Sequence, residues 1–125
     1  MTVKTIDKGE KVGYNSKFTA QEPTKIATIS IGYADGIPFA SSKNEFRVII
    51  KGHKCKVIGN VCMDNTMVKI PFDSDIKEGD IVTLFGYIDN EDEHINHKEF
   101  LTKSGASIYE TFSRLGARIT RIYHY

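Results

Sequence analysis

Apolar residues recur at every second position through much of this chain. Ala27, Ile29, Ile31 and Tyr33 fall on one face of an extended segment and Ile26, Thr28 and Ser30 on the other, a period of two that predicts a strand. Phe46-Arg47-Val48-Ile49-Ile50 and Cys55-Lys56-Val57-Ile58 flank Lys51-Gly52-His53-Lys54, the layout of a hairpin around a glycine-containing turn. Thr66 to Ile70 makes the next strand. Pro71 to Asp80, rich in Asp, Ser and Gly, reads as turn chemistry leading into the buried-looking strand Ile81 to Gly86. Arg118 to Tyr125 predicts a final strand that closes the chain.

Helical spacing comes late. Asn96 with Glu99 has the distance of a capping box ahead of Phe100 and Leu101, and Gly105 stops that helix after about two turns. Ile108, Phe112 and Leu115 repeat at helical spacing, which predicts a second short helix from Ser107 to Leu115 with Gly116 as its cap. Six or more short strands with little helix imply a mainly β fold, a single antiparallel Greek-key-like barrel or sandwich, and exclude a βαβ nucleotide fold. No repeat, low-complexity run or interior linker interrupts it, so residues 1–125 read as one domain.

Charge narrows the partners. The chain carries 17 Lys and Arg against 16 Asp and Glu, a net charge of +1 with both signs spread along its length, so it lacks the electrostatic footprint of nucleic-acid binding. No stretch approaches the roughly 20 apolar residues of a membrane span, and Met1 to Lys8 lacks the apolar run of a signal peptide. Cys55 and Cys62 match neither a zinc pair nor a disulfide framework and read as reduced and buried. These features predict a soluble cytoplasmic protein without nucleic-acid or membrane contact.

Local motifs alone give no active site: G-x-S-x-G, a P-loop and H-E-x-x-H are all absent. His94-x-x-His97 beside Glu91, Asp92 and Glu93 has metal-ligand residue types, but a hydrophilic loop between a strand and a helix explains all five, and zinc sites want three or four placed ligands. Tyr14, Tyr33 and Tyr109 are more suggestive, two of them with neighbouring glycines that permit close approach. Individually each is as well explained by a packed tyrosine whose hydroxyl finds one hydrogen bond.

Taken in order, Gly9-Glu10-Lys11-Val12-Gly13-Tyr14, Ile31-Gly32-Tyr33-Ala34-Asp35-Gly36, Gly59-Asn60-Val61-Cys62-Met63-Asp64, Gly79-Asp80-Ile81-Val82-Thr83-Leu84-Phe85-Gly86, Ile108-Tyr109-Glu110 and Arg118-Ile119-Thr120-Arg121 resemble the alanine racemase C-terminal domain family over nearly the whole chain. The resemblance implies pyridoxal 5'-phosphate chemistry that interconverts L- and D-alanine for cell-wall peptidoglycan precursors. It also implies an N-terminal barrel that carries the cofactor's lysine and most phosphate ligands, and a head-to-tail homodimer in which this domain closes the partner subunit's barrel.

By that resemblance Tyr14 is the acid/base on one face of the substrate α-carbon, opposite the barrel lysine. A free phenol has a pKa of about 10, so such a base needs help that the family places in the barrel. Met63 brings its backbone N–H to the substrate carboxylate, Asp64 lines the site beside it, Tyr33 narrows the substrate corridor, and Tyr109 reaches the cofactor phosphate. Asn60 and Phe39 stand where arginines are frequent, which predicts a less cationic corridor and an untouched reaction centre. Asn15 replaces a usual glycine, and Asn tolerates the left-handed region. The competing reading is a noncatalytic β-barrel module for binding or dimerisation, since Val48 to Lys54 followed by Gly59-Asn60-Val61 is a pattern RNA-binding barrels also use. On the racemase reading the isolated chain is inactive and takes up no cofactor stoichiometrically.

Overall fold

A computed structural model describes residues 1–43, 45–87 and 93–125. Glu91 and Asp92, two of the five residues in the acidic His-containing segment, lie outside the described residues. The strands are β1 (Thr2–Ile6), β2 (Lys11–Val12), β3 (Phe18–Thr19), β4 (Thr24–Ile29), β5 (Arg47–Ile50), β6 (His53–Val57), β7 (Thr66–Lys69) and β8 (Val82–Thr83), followed by the helices α1 (His97–Ser104) and α2 (Ile108–Arg114). All but β2 and β3 join one antiparallel sheet in the order β1-β4-β7-β6-β5-β8. In β4-β7-β6-β5, three hairpin-linked strands are followed around the sheet by a fourth that arrives on a long connection, which is Greek-key order.

The sheet curls around one core, as a half-barrel. Met1 and Val3 at one edge and Val82, Leu84 and Phe85 at the other pack against the same cluster, built on Val48, Ile50, Val57, Val68 and Phe100. β1 and β8 do not pair with each other among the described residues, so the roll stays open on that side. Phe100 closes the core from α1, edge-on to Phe46 at 5.3 Å between ring centroids. A second cluster of Ile6, Val12, Ala20, Ile26, Ile58 and Met67 lies beneath the β2-β3 ribbon.

The central strands follow the alternation. β5 and β6 pair Ile50 with His53. Their turn is therefore only Lys51 and Gly52, both at positive φ (48° and 76°), the geometry that matches the twist of a two-residue hairpin. The α1 signals are equally literal: the Asn96 side chain accepts from the Glu99 N–H, and Gly105 ends the helix at φ 73°. Ser107 caps α2 with Glu110 reaching back, a complete capping box.

Several expectations need correction. Arg118 to Tyr125 forms no strand; it leaves α2 through a turn and continues without regular structure, and Ile122, Tyr123 and Tyr125 are exposed. Its apolar residues, Ile119, Ile122, Tyr123 and Tyr125, keep no period of two, and the Arg118 side chain ties the segment to loops through Asp35 and Asp64 instead. The expected strand Ile81 to Gly86 contracts to β8, because Gly86 turns to φ 106° and bridges Ile95. β4 stops at Ile29, before Tyr33, which lies in a 3-10 turn. α2 ends at Leu115 rather than in a left-handed Gly116. Cys55 is buried, whereas Cys62 is only half-buried.

Candidate functional site

Three loops and the segment after α2 meet at one end of the sheet. At their centre is Gly59 to Asn65, between β6 and β7. It is pinned by Cys62 N–H to Asn65 O at 2.9 Å and by Val61 N–H to the Ser42 hydroxyl at 2.8 Å.

Tyr14 comes to this segment from β2. Gly13, at φ 80° and ψ 172°, turns the chain out of the ribbon, and Asn15 and Ser16 follow at φ 58° and 51°. Asn15 thus occupies the left-handed region, as its tolerance for that conformation predicts. Tyr14 projects into solvent, 61% exposed, while its carbonyl accepts a 3.0 Å hydrogen bond from the Asn60 side chain. Asn60 is itself buried. Asn60, read from sequence as a corridor position, thus holds the Tyr14 backbone.

Tyr33 arrives from β4. Gly32 lies so close to the Cys62 and Met63 carbonyls that any Cβ there would collide with both. The contact lets Tyr33 N–H donate to Cys62 O and Ala34 N–H to Met63 O, each at 3.0 Å. Tyr33 packs edge-on against Phe39, centroids 6.3 Å apart. The two line a groove of about 420 Å³ with Ile37, Pro38 and Arg114. Phe39 removes a cation from its own loop, as expected, but Arg114 of α2 supplies one to the same groove and pairs with Glu110 at 3.4 Å.

Met63 and Asp64 sit at the exposed tip. With the carbonyls of Cys62 and Met63 turned inward to Tyr33 and Ala34, the Met63 N–H has no hydrogen-bond partner among the described residues and is free for a ligand. Asp64 Oδ1 accepts from Arg118 Nη2 at 2.8 Å. The same guanidinium contacts Asp35 Oδ1 through Nε at 2.9 Å and Nη2 at 2.8 Å. Asp35 is buried, and its other oxygen caps the Gly32 N–H at 3.1 Å. The hydrogen bonds that Arg118 donates to Asp64 and Asp35 raise the pKa of a guanidinium that is charged at any working pH. Neither Arg118 nor Asp35 was read from sequence as a site residue. The signal was there, since Asp35 and Arg118 fall inside the family-like motifs, but 83 positions separate them and only the fold joins them.

Tyr14, Tyr33, Met63 and Asp64 are therefore brought together around one loop. Tyr109 is not joined to them by any hydrogen bond among the described residues; it projects from α2, 84% exposed, beside Ile108 and Phe112. Around it the chain offers a phenol, the Ser113 hydroxyl and the Glu110 carboxylate. The phenol and the hydroxyl fit one contact to a phosphorylated cofactor, while the Glu110 carboxylate only accepts and repels a phosphate, so this set does not cradle the phosphate alone. Tyr109 is the residue here that would hold such a group.

An open-faced half-barrel thus presents a tyrosine, a backbone N–H without a hydrogen-bond partner among the described residues and a carboxylate at one end. The model of the alanine racemase C-terminal domain matches residues 1–123, and the chain belongs to that family. It is 41% identical over 122 residues to the alanine racemase of Staphylococcus saprophyticus, covering 97% of this chain and 30% of that protein. The crystal structure of alanine racemase from Bartonella henselae with covalently bound pyridoxal phosphate superposes with a TM-score of 0.87 at 35% identity, covering 98% of this chain and 33% of that one. Histidine racemase from Leuconostoc mesenteroides subsp. sake superposes at 0.84 and 28% identity, covering 98% and 32%. The chain thus spans about 30% of the length of the curated relatives it matches.

Proposed function

We propose that this chain is the C-terminal part of a pyridoxal-phosphate-dependent alanine racemase. It works with an N-terminal barrel and a second subunit of a head-to-tail homodimer, in the cytoplasm, supplying D-alanine for peptidoglycan precursors. The reading is supported above all by the gathering of Tyr14, Tyr33 and Met63 on the Gly59 to Asn65 loop, in a chain whose relatives are alanine racemases.

Racemisation needs a proton removed from one face of Cα and another delivered to the opposite face. The cofactor, when bound, supplies the electron sink that makes that proton removable. The Tyr14 hydroxyl holds or moves the proton on one face; its ring stands free of the domain surface while Gly13 and Asn60 fix the backbone behind it. The free Met63 N–H donates to the substrate carboxylate and orients Cα. Asp64 lines the same side. Tyr33 and Tyr109 carry no proton and shape the corridor and pocket. A histidine racemase superposes on this chain, so the fold accompanies more than one amino-acid substrate; here the bulk of Tyr109 favours alanine over serine.

The full-length protein containing this chain, loaded with pyridoxal phosphate, should interconvert the alanine enantiomers. Tyr14→Phe should keep substrate binding and lose about 10²–10⁴ in kcat, the usual contribution of general acid–base catalysis. Full kcat in that variant defeats the assignment. The chain by itself should be inactive, and borohydride reduction after mixing with pyridoxal phosphate should trap no stoichiometric adduct at a single lysine.

A further inference from the structure

Arg118 bridges two carboxylates of unlike surroundings, the buried Asp35 and the half-exposed Asp64. The Asp35 contact explains how the segment after α2 is anchored. It does not explain why the same Nη2 also reaches Asp64, which is half-exposed to water. Asp64 directly follows Met63, whose unpaired N–H is the donor aimed away from the fold. A carboxylate arriving at that N–H meets the negative charge of Asp64 one residue away. Like charges at such range oppose binding, the more so once a covering domain excludes water. Arg118 is the cation in contact with Asp64.

We infer that Arg118 is a positioning and charge-balancing residue for carboxylate binding: it offsets the charge of Asp64 and holds the Met63-Asp64 turn so that the Met63 N–H can donate to an anionic substrate. This rests on the racemase reading above, in which Met63 meets the substrate carboxylate. Asp64 thereby keeps a fixed orientation without repelling the ligand, and Asp35 holds the guanidinium from behind against Gly32.

The test uses the full-length enzyme, with alanine as substrate and propionate as a carboxylate probe that lacks the amine. Arg118→Gln should raise the alanine KM and the propionate inhibition constant about tenfold, with a smaller fall in kcat, because one unit of uncompensated negative charge is exposed to the ligand. Arg118→Lys should recover most of the loss, and Arg118→Gln with Asp64→Asn should return both constants toward the parent. Asp35→Asn, which loosens the guanidinium from behind, should lower the melting temperature. If Arg118→Gln does not fold, Asp64→Asn alone decides: with the negative charge beside Met63 removed and Arg118 retained on Asp35, propionate should bind more tightly. Unchanged or weaker propionate binding in Asp64→Asn, or a fall in kcat at constant KM in Arg118→Gln, or no recovery in the double variant, overturns the role of Arg118. A parent enzyme that does not racemise alanine overturns the racemase reading and this role with it.

Discussion

Gly13 and Gly59 lie back to back, so close that a Cβ on Gly59 would come within 2.8 Å of the Val12 carbonyl oxygen and one on Gly13 within 2.9 Å of the Asn60 nitrogen. This crossing sets Tyr14 against the loop that carries Met63. Both glycines also have positive φ, 80° and 68°. Gly59→Ala should therefore cost about 1–2 kcal/mol from conformation alone, with the steric clash in addition. Thermal unfolding should show the loss, and in the full-length enzyme kcat should fall with it, because the loop can relieve the clash only by moving away from Tyr14. A variant with parental melting temperature and kcat would mean that the crossing does not position the tyrosine.

Tyr14 should serve one face of the substrate. In a full-length Tyr14→Phe variant, one alanine enantiomer should still exchange its α-proton with deuterated solvent through the opposite base, while the other exchanges far more slowly. Proton NMR in deuterium oxide resolves the two. Equal loss of exchange for both enantiomers would reduce Tyr14 to a wall of the pocket.

Tyr109 should favour the smaller side chain. Replacing its phenol by the amide of Tyr109→Asn opens space for a hydroxymethyl group, so the ratio of kcat/KM for serine over alanine should rise. One small group in a pocket discriminates by about 1–3 kcal/mol, which bounds the shift. A ratio that stays put, or a parent that already prefers serine, counts against this role.

The two cysteines should separate by reactivity. Burial raises the Cys55 thiol to a pKa of about 11, so it stays neutral at pH 8 and is shielded besides. Iodoacetamide at pH 8 should label half-buried Cys62 first in the folded protein and both residues only after denaturation, as mass spectrometry reads directly. The sign for stability follows. A folded pKa above the unfolded value favours the folded state below the unfolded thiol pKa, and that contribution disappears as pH rises through about 11. Early labelling of Cys55 would contradict its burial.

Legibility in the sequence followed the range of the interactions. The Asn96 cap with Glu99, the Gly105 stop, the Ser107 start and the Lys51-Gly52 turn were readable because each is decided within a few residues. The central strands were readable because their faces see one environment along their length. β1 was not, since Thr2–Ile6 is an edge strand with a burial pattern too mixed for period two, defined by pairing Thr2 to Thr28 and Ile6 to Thr24. Arg118 to Tyr125 failed in the opposite sense: it has the β-branched and aromatic residues of a strand, but its guanidinium finds Asp35 and Asp64 and the segment joins no sheet edge among the described residues.

The sequence by itself determined the mainly β architecture, the two short helices and, through ordered motifs, the family and the residues to watch. Only the tertiary structure decided that Asn60 supports Tyr14, that Arg114 shares a groove with Phe39, and that Arg118 joins Asp35 to Asp64. Side-chain periodicity records whether a position faces a core or water, which is a property of a short segment. Those three contacts depend instead on where distant loops stop relative to one another, and that distance is set by sheet register, by the curl of the sheet and by glycines that let backbones touch.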